Sequence, residues 1–270
     1  MTAPAPRARP FLREAGSGPA VLCLHSNASS SSQWRALMDS LASRYRVMAS
    51  DGLGAGKSPA WPAGHAVGLQ DEVALLDDVF SQAGDGLLMV GHSYGAAVAL
   101  KAALLHPGRV RALALYEPTL FSLLDAETAP PNDADGIRHT VRAAEAALAA
   151  GDGAMAAGLF IDYWMGPGAW AATPEARRVP IVTAIAQVGG WGRALFGEPA
   201  TRAQLSQLQM PVLLMTGSQS PASAQGVARL LANTLPQVQA LAFEGLGHMG
   251  PITHPEVVNA AISRFLDSCR

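Results

Sequence analysis

Short, unbroken apolar runs recur along this chain, each followed by a longer amphipathic or alanine-rich segment. The runs are AVLCL (20–24), YRVMAS (45–50), GLLMVG (86–91), VRALALY (110–116), PVLLMT (211–216) and VQALAF (238–243). They do not alternate apolar with polar residues. A strand needs that composition when both its faces are covered, as in a parallel sheet between layers of helices. The segments 31–43, 69–83, 94–106, 223–235 and 255–269 read as those helices. The alternation predicts an α/β fold with a mostly parallel central sheet flanked by helices.

The alternation breaks between Thr119 and Gln209. This stretch holds two helix-like segments, GIRHTVRAAEAALAAG and GAMAAGLFIDYWMG, and the tryptophans Trp164, Trp170 and Trp191. It is expected to form a helical cap, with 1–118 and 210–270 as the core domain and 119–209 as the insertion. With 270 residues, 49% of them hydrophobic and 15% charged, the chain can bury a sizeable core. A net charge of -2 without a Lys/Arg stripe gives no basis for a nucleic-acid or membrane partner. No apolar run is long enough to span a bilayer, and the N-terminal stretch carries no apolar signal core. The two cysteines, Cys23 and Cys269, form no disulfide framework, and a cytoplasmic protein is expected. Nothing in the sequence specifies an oligomeric state.

The third run leads into Gly91-His92-Ser93-Tyr94-Gly95, and a helical segment follows. A serine between glycines on a strand-to-helix turn is held at the tip of a strained elbow. The glycines admit neighbouring backbone, and the helix N-terminus favours developing negative charge. Ser93 is therefore the candidate nucleophile.

With this motif in place the chain resembles the α/β-hydrolase fold family over nearly its whole length. LHSNASSSSQW resembles the family's oxyanion loop, with Ser26 where glycine is usual; SDGLGAGKSP resembles the turn after the next strand; GLGHMGPITHPEVVNAAISRFL resembles the histidine loop and last helix. The glycines of GLGAGKS also look like a phosphate loop, but that pattern needs glycine where Asp51 stands. Asp51 is expected to hold the turn.

Of seven histidines, His248 in EGLGHMGP stands where the family places its general base. His254 and His106 read as helix-end residues, His65 and His139 as surface residues, His25 as a support of the oxyanion loop, and His92 as facing the core. The family's usual acid position, in GSQSP, falls on Ser220. Glu117 ends the run VRALALY, beside the elbow, and certain haloalkane dehalogenases in the family place their acid there. A charge ending an apolar run needs a partner, and an imidazolium supplies one. Glu117 is the expected acid, ahead of Glu244. The alternative for Glu117 is a structural pair with an arginine.

The resemblance implies an oxyanion hole from the backbone N–H groups of Asn27 and Tyr94. LHSNASSSSQWR also resembles haloalkane dehalogenases, but those enzymes and the epoxide hydrolases use an aspartate nucleophile. Serine with a histidine base favours acyl transfer. The expected function is carboxylic ester hydrolysis through an acyl-enzyme. Lactone, thioester, amide, peracid and C–C bond hydrolysis share the machinery, and a non-catalytic ligand-binding member is the alternative of another class. His25, Ser26, Phe160, Trp164, Trp191 and Met249 are candidate pocket residues for an apolar acyl or aryl group, although the aromatic ones could equally form the cap's own core. With neither an HExxH nor paired-cysteine motifs, no metal or cofactor is expected.

Overall fold

The computed structural model describes residues 8–61, 64–84 and 86–270, so the first seven residues of the N-terminal stretch lie outside it. Its centre is a seven-stranded sheet in the order β1-β3-β2-β4-β5-β6-β7. The strands are β1 (Leu12–Ala15), β2 (Ala20–Leu24), β3 (Arg46–Ser50), β4 (Leu87–His92), β5 (Val110–Tyr116), β6 (Val212–Gly217) and β7 (Val238–Phe243). From β2 to β7 every pairing is parallel; β1 runs antiparallel on the edge of β3.

The six apolar runs are strands, within a residue of the expected bounds. β1 was not expected. Its LREA has no apolar run because it is a short edge strand, half exposed, with one side of its backbone paired. Successive residues of the central strands alternate between two cores. Leu22, Leu24, Met89, Leu113, Leu115 and Leu214 face one; Val21, Cys23, Leu88, Val90, Ala112, Ala114 and Met215 face the other. Both faces are covered, which explains the continuous apolar composition.

The helices match the reading with three differences, one being that the expected 223–235 is Ala222–Ala232. The first begins as a 3-10 turn, Ser31–Trp34, capped by Ser30, before the α-helix Arg35–Leu41. The expected helix 69–83 breaks at Leu76 into Leu69–Leu75 and Asp77–Ala83. Between β5 and β6 run short and medium helices, among them Asp135–Ala149, Gly153–Met165 and Val188–Phe196. Phe160, Trp164, Trp191 and Leu195 from this insertion belong to the same buried cluster as Leu113 and Leu115 of the sheet.

The chain leaves β2 for β3 on one side and then crosses back to β4 on the other. This reversal opens a crevice at the carboxyl ends of β2 and β4, where open α/β sheets bind ligands. The elbow after β4 sits there. The helix Tyr94–Leu105 packs so closely on β2 that a Cβ on Gly95 would run into the carbonyl oxygens of Leu24 and His25. Gly95→Ala is expected to lower stability by about 3 kcal/mol through backbone displacement, read from urea midpoints at unchanged m-value.

Candidate active site

Ser93 stands between β4 and its helix with φ 57° and ψ -116°. This conformation is uncommon for a residue with a Cβ, and its surroundings hold it. The Ser93 N–H donates to the Tyr116 carbonyl at 2.9 Å, and the Ser93 carbonyl accepts from the amides of Ala96 and Ala97. The other non-glycine residues with positive φ among those described are Ala28, at 53°, and Glu117, at 47°. All three follow the carboxyl ends of strands that converge on one crevice.

His248 lies in the loop after β7, and Glu117 follows the last residue of β5. The Ser93 hydroxyl donates to His248 Nε2 at 2.9 Å. The opposite ring nitrogen, Nδ1, donates to Glu117 Oε2 at 2.6 Å. A carboxylate can only accept, so Nδ1 carries the hydrogen and Nε2 is left to accept from serine. Ser93, His248 and Glu117 are 5%, 2% and 0% exposed, so water competes little for these bonds. Among the described residues Glu117 pairs with no arginine, and Glu244 is exposed.

The second oxygen of Glu117 is also satisfied. Oε1 accepts from the Gly217 amide at 2.7 Å and from the Ser220 hydroxyl at 2.6 Å. Ser220 therefore supports the carboxylate. The loop of His248 is pinned from two sides: Tyr116 donates its hydroxyl to the Gly247 carbonyl at 2.8 Å, and His92 Nε2 donates to the His248 carbonyl at 2.8 Å.

The structure distributes the candidate pocket residues unevenly. Trp164 stacks on the His248 ring with centroids 3.9 Å apart. Phe160 touches both Trp164 and Trp191, so these three form a wall that ends on the His248 ring. Met249 is half-buried next to His248. His25 has both nitrogens engaged, Nδ1 donating to the Ser26 carbonyl at 2.7 Å and Nε2 accepting from the Gly52 amide at 3.0 Å. Burial holds His25 below the usual histidine range. The amide and hydroxyl of Ser26 are bonded to Gln33. Asn27 and Ala28 form the half-buried turn beyond it. Tyr94 opens its helix, so its amide has no carbonyl partner from within that helix. Asp51 holds the turn after β3, accepting from the amides of Ser31 and Lys57.

The remaining histidines stay away from this cluster. His106 ends the elbow helix and stacks on Phe80; His254 stands at the N-terminus of the last helix; His65 and His139 are exposed. Among the described residues no cluster of His, Cys, Asp and Glu could hold a metal ion.

Sequence reading missed Glu72. It projects inward from Leu69–Leu75, accepting from the Leu53 amide at 3.0 Å and the Tyr94 hydroxyl at 3.3 Å. Its spacing from Leu69 and Leu76 puts a carboxylate on the apolar face of a helix, a signal present in the sequence.

The sequence profile of the family described as alpha/beta hydrolase fold matches residues 19–255, and the chain belongs to that family. It is 28% identical to the 2-(acetamidomethylene)succinate hydrolase of Mesorhizobium japonicum, over 95% of this chain and 91% of that protein. A shorter stretch, 43% of this chain and 38% of the relative, is 33% identical to a haloalkane dehalogenase of Agrobacterium fabrum. Among solved structures, a thermophilic esterase from Thermogutta terrifontis shares the fold with a TM-score of 0.78 at 23% identity, over 99% of this chain and 96% of that one.

Burial raises Glu72 from 4.5 to about 7. Its folded-state pKa exceeds the unfolded one, so the folded protein binds more protons between those values and loses stability as pH rises through them. The shift corresponds to about 3 kcal/mol. Glu72→Gln keeps an acceptor for Leu53 and removes the charge. Wild type is expected to lose about 2 to 3 kcal/mol relative to this variant between pH 5 and pH 8, measured by urea unfolding. A pH-independent difference would show that Glu72 does not titrate in this window.

Proposed function

We propose that the protein is a serine hydrolase that cleaves carboxylic esters through an acyl-enzyme on Ser93. The observation that carries the reading is the unbroken chain from Ser93 Oγ through His248 to Glu117, at 2.9 and 2.6 Å. His248 Nε2 takes the serine proton as Oγ attacks the ester carbonyl. Glu117 holds the imidazole in the required tautomer and stabilises the imidazolium that forms. The oxyanion is received by the amides of Tyr94 and Asn27, the next donor in its turn after Ser26 is bound to Gln33. His248 returns the proton to the leaving alcohol. It then activates a water that releases the acid.

A serine nucleophile supports acyl transfer over the alkyl displacement that an aspartate nucleophile performs. Phe160, Trp164 and Trp191 support an apolar acyl or aryl group, with residues 119–209 acting as a cap. Both cysteines are free thiols, which suits a cytoplasmic enzyme. Among the described residues no helix is long and apolar enough to cross a membrane. A second reading, hydrolysis of a 2-(acetamidomethylene)succinate, is favoured by the full-length similarity to the Mesorhizobium enzyme. The same machinery serves it.

The test is turnover of a panel of p-nitrophenyl esters, with that compound included, and fluorophosphonate labelling of Ser93. Ser93→Ala is expected to lower kcat by about 10⁶-fold and to abolish labelling. Glu117→Gln is expected to lower kcat by about 10³- to 10⁴-fold. Near wild-type rates in Glu117→Gln would remove it from the acid's role. An inert wild type that binds a small ligand tightly would mark a binding protein instead.

A further inference from the structure

We propose that Gln33 and His92 form a directional hydrogen-bond relay that sets the oxyanion turn against the base loop, making both of them positioning residues for the chemistry proposed at Ser93. The inference rests on that reading for its function and on geometry for its existence.

The relay starts at the base. The His248 carbonyl can only accept, so His92 Nε2 carries a hydrogen and donates to it at 2.8 Å. In a neutral ring Nδ1 is then an acceptor, and it lies 3.1 Å from Gln33 Nε2, which donates. That fixes the amide's orientation. Gln33 Oε1 must point the other way, where it accepts from the Ser26 amide at 3.2 Å and the Ser26 hydroxyl at 3.1 Å. Every donor meets an acceptor, and reversing any one group breaks the chain. One end is the main chain of the base. The other is the residue before Asn27, the proposed oxyanion donor. The middle is the residue beside the nucleophile.

The relay requires a neutral His92, because a second ring proton would remove the acceptor facing Gln33. Burial, followed by the nearby His248, holds His92 well below the usual histidine range. His92 is 0% exposed, and its ring stands perpendicular to that of Tyr116 with centroids 5.6 Å apart. The three segments it joins are distant in sequence: 59 residues separate Gln33 from His92, and 156 separate His92 from His248.

Gln33→Glu tests the polarity with little change of shape. The carboxylate still accepts from Ser26 but cannot donate to His92. One added proton, on either the carboxyl or the imidazole, restores the bond. The surrounding titratable groups are His25 and Asp51 after β2 and β3, Tyr116 and Glu117 at the end of β5, and His248 after β7. All are common to both proteins, so the ratio of variant to wild-type kcat isolates position 33. On a p-nitrophenyl ester this ratio is expected to be about 0.01 to 0.1 at pH 9 and to rise toward one as pH falls to 6, with KM changed less than about twofold. A ratio near one throughout, or a low ratio that ignores pH, overturns the relay as a positioning device. Independently of any variant, long-range ¹⁵N–¹H correlation in wild type is expected to show His92 neutral and protonated on Nε2 from pH 5 to 9; the other tautomer or a charged ring overturns the polarity. If wild type neither hydrolyses esters nor labels at Ser93, the functional reading fails while the tautomer measurement still decides whether the relay exists.

Discussion

A fully buried carboxylate at the end of β5 is the constraint on which the site depends. Taking Glu117 out of water costs several kcal/mol unless its oxygens are satisfied by strong partners. Here three donors converge on it: the Gly217 amide, the Ser220 hydroxyl and the His248 ring. Two come from the end of β6, so the register of β5 against β6 directly sets where the carboxylate points. The position at 220, which the family resemblance makes the usual home of the acid, looked vacant in the sequence. With a carboxylate already at 117, an aspartate within hydrogen-bond reach would place two like charges together in a dry site. A hydroxyl donates where a second acid would repel. Ser220 thus complements Glu117, and the two residues form one arrangement.

Backbone strain follows the same logic. Ala28, Ser93 and Glu117 take positive φ on the loops after β2, β4 and β5. Such residues cost on the order of 1 to 3 kcal/mol each and persist only where their surroundings over-determine them. The central strands that precede these loops are almost wholly buried and paired on both edges. Their rigidity lets short loops hold unfavourable conformations. The sheet's contribution to the site is therefore tension held in place at three adjacent strand ends.

What the sequence revealed tracks how local the physics is. Continuous apolar runs announced buried strands because burial on both faces leaves a one-dimensional signature. GHSYG announced the elbow because glycine is required where backbone meets backbone. Glu117 was legible as a charge ending an apolar run, and His248 through the resemblance of its loop to the family's histidine loop. β1 was not legible, since an edge strand of four half-exposed residues derives its identity from β3, some thirty residues away. The Gln33–His92 relay was hidden for a related reason: the direction of an amide or imidazole is set by partners from segments distant in sequence. Glu72 lay between these cases, a polar residue on an apolar helix face whose partners, Leu53 and Tyr94, only the fold supplies.

The insertion between β5 and β6 reaches the His248 ring through Trp164. Trp164 stacks on His248, and its neighbour Tyr163 hydrogen-bonds Ser223 at 2.7 Å, just beyond the loop that holds Glu117. Lys101 of the elbow helix pairs with Glu198 at 2.8 Å on the far side of the insertion. The insertion's aromatic core is continuous with that of the sheet. An element tied at two points and sharing a core with its base does not swing as a free lid; rigid opening would expose the apolar surface that holds it down. On the proposed reading, substrate selection resides in Phe160, Trp164 and Trp191, while the strand-end loops keep the reacting groups in place.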